Sequence, residues 1–409
     1  MIKYEIKMTL RNRTCQLLFV VVIIFTFYLS YLAIGNDQFV DEQGKVSKSL
    51  LDVRRLVNDK NRWQGDLTPG LINKIIKKSS TVEKRYPNQQ ISEGKEEQSY
   101  FDILFFANEI FYGESSDEDK LYGKNADDEN PFIIEKEKPK LIGRIYDRYR
   151  KNLEIKSIKY GESKAKRDFL MRKFRQIKMP PKYEAFEAWK NILHYIEGVI
   201  IILLIAGAFL SAEILVREFK NKADPVFFST LHGNKKGVKK RILAALLFVT
   251  VLYWIGIGTF SLICFSFMGI GGGQTMLQFD APYAAYIVNY SHLYLIATIC
   301  GYIACLFSSS IAMLIASKAR GVIAAIVIPI ILFFVTPYVE RSVGSRNSLI
   351  PLLPYNLNEV IKCVRNTYIY QIGGLVFRQI PLILLIYSSI AVLLVPLAYR
   401  CYKNTVVNS

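Results

Sequence analysis

The sequence predicts an all-α polytopic membrane protein with six transmembrane helices, cytoplasmic N- and C-termini, and a mainly helical extracytoplasmic domain between spans one and two. Three observations support this prediction. Six apolar runs are long enough to cross a bilayer, which takes about 20 residues. Charge is concentrated in residues 36–190, which hold 32 of the 53 Lys and Arg and 27 of the 35 Asp and Glu. The remaining basic residues favour one side of the membrane.

The spans follow from the apolar runs, which cover 15–34, 192–212, 242–269, 292–316, 321–339 and 379–399. The first run, CQLLFVVVIIFTFYLSYLAI, has the position of a secretory signal peptide. It is longer than the apolar core of a signal peptide, which has about 7–15 residues, and no clear A-x-A cleavage site follows it. We therefore interpret this run as an uncleaved span.

The short loops orient these spans. With the N-terminus inside, the cytoplasmic segments carry sixteen Lys and Arg, whereas the short outer loops carry five and loop 270–291 carries none. Cytoplasmic segments are enriched in basic residues, so both termini are predicted to be inside and residues 36–190 outside. The net charge of +18 is explained by basic residues that flank the spans and meet anionic lipid headgroups. No nucleic-acid-binding module accompanies this charge.

Residues 1–14 are predicted to form a cytoplasmic amphipathic helix on the inner leaflet. Its apolar residues Tyr4, Met8 and Leu10 alternate with Lys3, Lys7 and Arg11. The first transmembrane span, 15–34, follows directly.

The extracytoplasmic domain is predicted over 35–191. Its Leu and Ile residues recur at helical spacing, and its basic segment 144–178 predicts amphipathic helices near the membrane surface. At its end, Tyr183, Phe186 and Trp189 recur at i, i+3 and i+6, which predicts a helix over 182–191 leading into span two.

The rest of the chain, 192–409, is assigned to spans two to six, with two notable connections. Residues 340–378 are apolar but interrupted by Pro and Gly, which predicts short outer helices sheltered by protein. The cytoplasmic connection between spans two and three, 217–241, contains KADPVFFSTLHGNKKGVKKR. Its basic end fits the positive-inside rule, but its PVFFSTL centre is apolar and predicts a binding partner.

The sequence offers no catalytic centre, no metal site and no cofactor site. It has no phosphate-binding loop, and its three histidines are scattered. His194 and Glu197 lie three residues apart at the start of span two. Such an ionisable pair either marks a transport path or forms an interfacial hydrogen-bonded pair.

These features together resemble the permease subunits of type-2 ABC transporters, in particular a Firmicute branch with a large external domain between spans one and two. In that branch an acidic residue ends span two, and Glu218 stands there in this sequence. Gly-Thr-Asp follows, then apolar residues, Ser-Thr, Gly-Arg and a lysine. The matching positions here are Asp224, Val226, Phe227, Phe228, Ser229, Thr230 and Gly233, and the lysine is Lys239 or Lys240. The sequence departs from the pattern at Lys222, Ala223 and Asn234.

The resemblance implies the membrane subunit of an exporter in the plasma membrane of a Gram-positive bacterium. A separate ATPase subunit would bind ATP and Mg²⁺, so this chain would be no enzyme. A coupling helix would dock in a groove of that ATPase, with Val226, Phe227, Phe228 and Leu231 as buried anchors. A second permease copy or a homologous permease would complete the transporter, which would move an amphipathic peptide, antibiotic or lipid outward.

Two other functions remain open from the residues alone. One is a membrane-anchored peptide receptor or immunity protein whose basic external domain senses its ligand. The other is a membrane-embedded enzyme, which would need a polar constellation buried between the spans.

Overall fold

The computed structural model describes residues 2–41, 45–47, 49–85, 95–112, 142–220, 237–338 and 349–404. This part of the chain is mostly helical, as the sequence predicts. The first helix, α1 (Ile2–Arg11), is followed after Asn12 by α2 (Arg13–Ile34). The Asn12 side chain caps α2 by accepting a hydrogen bond from the N–H of Thr14 at 3.0 Å.

Between α2 and the next long helix lies an inserted domain of five described helices. They are α3 (Asp52–Lys60), α4 (Pro69–Arg85), α5 (Lys95–Tyr112), α6 (Ile145–Tyr160) and α7 (Lys164–Phe174). Two short strands, β1 (Gly65–Asp66) and β2 (Lys182–Tyr183), pair antiparallel and join the start of the domain to its end.

The remaining helices form a bundle. They are α8 (Glu187–Lys220), α9 (Val238–Met268), α10 (Tyr290–Ala319), α11 (Val322–Tyr338), the short α12 (Val360–Arg365) and α13 (Gln379–Asn404). Five helices are long and apolar enough to cross a membrane, namely α2, α8, α9, α10 and α13. The remaining predicted span, the fifth in chain order at 321–339, corresponds to α11, which is shorter. Pro329 lies inside α11 and is followed by a π-helical turn at Ile331–Val335.

α8 is the central helix of the bundle. In its most apolar stretch 78% of the residues are buried, against 28% in α2 and in α13. It packs against α2, α9, α10 and α11. Small residues allow this close approach: a Cβ added at Gly301 of α10 would lie 2.6 Å from the Ile200 side chain of α8. The bundle is therefore built around the α8–α10 pair.

Two segments differ from their predicted helices. Residues 182–191 are helical only from Glu187, because Lys182–Tyr183 extends to pair with β1 instead. Within the predicted outer helices, α12 is joined by 3₁₀ turns at Ile350–Leu352 and Pro354–Leu357 and by a hairpin of β3 (Ile369–Ile372) and β4 (Leu375–Arg378). A Gly373–Gly374 turn between β-branched and aromatic residues is typical of a hairpin.

The inserted domain and the bundle share one hydrophobic core. The connection between α9 and α10 inserts Phe279 into the domain, where its ring centroid lies 4.9 Å from that of Phe106 and 5.4 Å from that of Tyr183. The Tyr149 hydroxyl donates to the carbonyl of Pro282 at 2.5 Å. Since these contacts cross from α5 and α6 to the α9–α10 connection, the domain is fixed to the ends of the helices.

Candidate functional site

The end of the bundle that carries α1 holds a buried ionic network, and we call it the α1-end network. At its centre the Glu5 carboxylate accepts a hydrogen bond from Arg217 Nη1 at 2.9 Å and one from Arg241 Nε at 3.1 Å. All three residues are no more than 7% exposed. The network therefore joins α1 to the last turn of α8 and the first turn of α9.

Further hydrogen bonds extend the α1-end network to α13. Arg241 pairs with Glu218 and donates to the Tyr402 hydroxyl at 3.3 Å. That hydroxyl in turn donates to the carbonyl of Leu215 at 2.8 Å. Arg217 also donates to the hydroxyl of Thr9 at 2.8 Å. Four helices thus meet in a single set of polar contacts.

The local sequence explains why these side chains converge. Glu5 and Thr9 are four residues apart and therefore lie on the same face of α1. Arg217 lies near the C-terminus of α8, where the helix dipole favours a cation. Arg241 lies in the first turn of α9, where the dipole disfavours a cation, and the two carboxylates of Glu5 and Glu218 offset this. The two arginines and two glutamates balance in formal charge, as buried ions require.

A second polar contact lies beside this network. The Glu213 carboxylate, 2% exposed, accepts a hydrogen bond from Asn12 Nδ2 at 2.9 Å and lies 3.5 Å from Lys220 Nζ. Because Asn12 also caps α2, this contact connects the α1–α2 junction to α8.

Only the two ends of the predicted coupling segment, 217–241, lie in the described part of the chain. Residues 217–220 continue α8, and 237–241 lead into and begin α9, so the connection between the two helices is 221–236. Glu218 belongs to the α1-end network. The other predicted coupling residues lie outside the described part of the chain, and they are Asp224, Val226, Phe227, Phe228, Ser229, Thr230, Leu231 and Gly233.

Sequence reasoning missed Glu5, Arg217 and Arg241 as a connected group. It counted both arginines among the basic residues that orient the spans, although their side chains are buried. A signal was present, because Glu5 is the single acidic residue in an N-terminal segment with four basic ones. An acidic residue amid basic ones on an amphipathic helix indicates a cationic protein partner rather than lipid.

The predicted pair His194 and Glu197 lies at the opposite end of the bundle. Both line a pocket of about 290 Å³ together with residues of and around α12, namely Glu359, Ile361, Lys362, Arg365 and Asn366. His194 is exposed and Glu197 is half-buried. We call this the α12 pocket. Its Lys362 Nζ lies 3.2 Å from a Glu359 carboxylate oxygen, and its Arg365 pairs with Asp280 of the α9–α10 connection.

A third polar cluster fixes the inserted domain to α8. Lys60 of α3 pairs with Asp102 of α5 at 2.7 Å and with Glu187, the first residue of α8, and all three are buried. Burial lowers the pKa of Lys60, but the two carboxylates outweigh it and raise that pKa above its ordinary value. Burial raises the pKa of Asp102, but Lys60 outweighs it and holds that pKa below its ordinary value.

Comparison of the chain with family models, with curated proteins and with solved structures found no match. Among the described residues, no group of three His, Cys, Asp or Glu side chains is placed to hold a metal ion. The polar contacts of the α1-end network connect the ends of α1, α8, α9 and α13.

Proposed function

We propose that the chain is the permease subunit of an ABC exporter in the plasma membrane of a Gram-positive bacterium, driven by a separate ATPase. In this proposal the chain crosses the membrane six times, with α11 as the fifth span and α13 as the sixth. Both termini and residues 221–236 lie in the cytoplasm, and the inserted domain lies outside. A second permease copy or a homologous permease completes the transporter, and an amphipathic substrate moves outward.

The observation that carries the proposal is the position of Glu218 and Arg241. These residues flank the connection 221–236, pair with each other and reach Glu5 of α1 through Arg241. A push on that connection would therefore move the ends of α8 and α9 together and displace α1 with them. Such a connection suits a segment that receives force from an ATPase, because a buried network changes between discrete arrangements rather than deforming gradually.

The shared core supports the same proposal at the other end of the bundle. α8 is 34 residues long, and its first residue, Glu187, is held by Lys60 of the inserted domain. A tilt of α8 would consequently reach the domain without an intervening flexible linker. This arrangement suits a domain that moves with the transport cycle.

The test is to express the tagged chain in its own host, purify it and measure ATP hydrolysis in the captured material. We expect an ATPase to co-purify and the Phe227→Asp, Phe228→Asp double variant to lose it, because charge would remove the two aromatic anchors proposed to enter the groove of the ATPase. The matched control is Phe101→Asp, Phe105→Asp, which changes two stacked, partly exposed rings on α5 of the inserted domain. Full ATPase capture by the coupling variant, or no captured ATPase in the wild type, would overturn the proposal.

A peptide receptor or immunity protein remains the second candidate, and the basic surface of the inserted domain favours it. Exposed basic side chains on α6 and α7 include Arg150, Lys151, Lys159, Arg167 and Arg172. Deleting the domain would not discriminate, because its core continues into the bundle. Neutralising these five side chains leaves the core intact. A receptor would lose its response to the peptide, whereas an exporter would retain the co-purifying ATPase.

A further inference from the structure

The α12 pocket combines charges of both signs in one small space. Glu197 and Glu359 supply two carboxylates, and Lys362 and Arg365 supply two cations. When all four side chains are ionised, their charges cancel. A pocket with balanced charges favours a ligand that is itself neutral but dipolar, because an ion of either sign would leave one pair of side chains facing a like charge.

The position of the pocket along α8 indicates where such a ligand comes from. Glu197 lies ten residues after the start of α8, about 15 Å along its axis at 1.5 Å per residue. It is followed by residues 198–212, which carry no ionisable side chain. The pocket therefore lies at the boundary between the apolar stretch of the bundle and its polar end, the depth at which lipid headgroups lie.

The lining residues also distinguish between headgroups. Among the described residues that line the pocket, none is Phe, Tyr or Trp. Quaternary ammonium groups are bound by aromatic cages, whereas a primary ammonium donates three hydrogen bonds and is suited to carboxylates. The volume of about 290 Å³ would hold roughly ten water molecules at ~30 Å³ each, which is sufficient for a headgroup of a few non-hydrogen atoms.

We propose that the α12 pocket binds the phosphoethanolamine headgroup of a zwitterionic lipid. The ammonium lies against Glu197 and Glu359, and the phosphate lies against Lys362 and Arg365. Arg365 keeps the contact of its Nη2 with Asp280, which itself lies 3.4 Å from Lys190 Nζ, and the phosphate accepts hydrogen bonds from the other N–H groups of the guanidinium. The bound lipid holds α12 against α8. This inference does not depend on an ATPase partner.

The test measures lipid retention by the delipidated full-length chain in detergent, using native mass spectrometry with phosphatidylethanolamine, phosphatidylcholine and phosphatidylglycerol. We expect preferential retention of phosphatidylethanolamine. Glu197→Gln and Lys362→Gln should each weaken it by about tenfold, as expected when one charge-assisted hydrogen bond is lost. Glu154→Gln and Lys182→Gln are the matched controls, because they make the same changes at exposed positions of the inserted domain.

Competition identifies the source of the ligand. Soluble glycerophosphoethanolamine, the neutral zwitterionic diester, should displace the lipid at millimolar concentration, and a dipeptide should not. Displacement by the dipeptide alone would assign the pocket to peptide ends and overturn the proposal. Equal retention of all three lipids, or unchanged retention by both pocket variants, would also overturn it. If Glu197→Gln fails to fold, as judged by gel filtration, Glu359→Gln tests the same carboxylate pair.

Discussion

Glu218 and Arg241 form an ion pair that joins the last turn of α8 to the first turn of α9 across the connection 221–236. The same arginine binds Glu5 of α1 and the Tyr402 hydroxyl of α13. A single side chain therefore contacts three other helices at one end of the bundle.

Arg241 should be essential for stability. The Arg241→Gln variant removes this cation from the buried carboxylate of Glu5 and the partly buried carboxylate of Glu218, and removing one partner of a buried ion pair costs about 3–5 kcal/mol. We expect a lower thermal unfolding midpoint in detergent. Lys240→Gln removes the same charge from the neighbouring, exposed position and should leave the midpoint unchanged. Equal midpoints for the two variants would contradict the role of the network.

In the proposed exporter, Glu218 should separate ATPase binding from transport. Because its carboxylate connects α8 to α9 rather than forming an apolar anchor, Glu218→Gln should keep the co-purifying ATPase and reduce substrate export several-fold. Export is measured in cells or in proteoliposomes, with Glu154→Gln as the control. A variant that exports at the wild-type rate would show that this pair does not transmit the movement.

Lys60 should be required for docking of the inserted domain. Lys60→Met keeps the length of the side chain but leaves Asp102 and Glu187 buried without their cation, with an expected loss of about 3–5 kcal/mol. Proteolysis within the domain should accelerate, and the unfolding midpoint should fall. The exposed Lys182, changed to Met, provides the control.

The same cluster predicts how stability depends on pH. The pKa of Asp102 is lower in the folded chain than its ordinary value of 3.8, so its contribution is present above that value and is lost as pH falls below it. The pKa of Lys60 is raised above its ordinary value of 10.5, so its contribution is present below that value and lost as pH rises through the folded pKa. Burial raises the pKa of Glu187, the third member of the cluster, from its ordinary value of 4.5 to about 8, so its contribution is lost as pH rises between these values. Unfolding midpoints measured against pH should therefore fall at acidic pH and decline again as pH rises above 4.5, and Asp102→Asn should show a shallower acid limb than Asp66→Asn.

Two glycines of the α9–α10 connection offer a matched pair. Gly269 and Gly272 both have positive φ, 87° and 80°, but only at Gly272 would an added Cβ meet other atoms, 1.9 Å from the carbonyl oxygen of Ala185. Gly269→Ala should cost about 1–3 kcal/mol from backbone strain alone. Gly272→Ala should cost more, because the connection would have to separate from the end of the inserted domain. Comparable unfolding midpoints would contradict this docking geometry.

The sequence by itself determined the helical class and the positions of the long apolar helices. Hydropathy is a property of consecutive residues, so five of the six predicted runs coincide with helices long enough to cross a membrane. The remaining run, 321–339, corresponds to α11, which is shorter because Pro329 and the π-helical turn interrupt regular helix. The hairpin at Ile369–Arg378 was missed because the segment was interpreted through its apolar composition rather than its Gly-Gly turn.

Only the tertiary structure decided which charged residues act together. Glu5 and Arg241 are 236 positions apart, and Lys60 and Glu187 are 127 apart, so no local pattern connects them. Arg217 and Arg241 fit the positive-inside rule as well as any exposed basic residue would, because that rule counts charges without regard to burial. Whether a charge faces lipid headgroups or a buried carboxylate depends on how α1, α8, α9 and α13 pack, and packing is decided by contacts between distant parts of the chain.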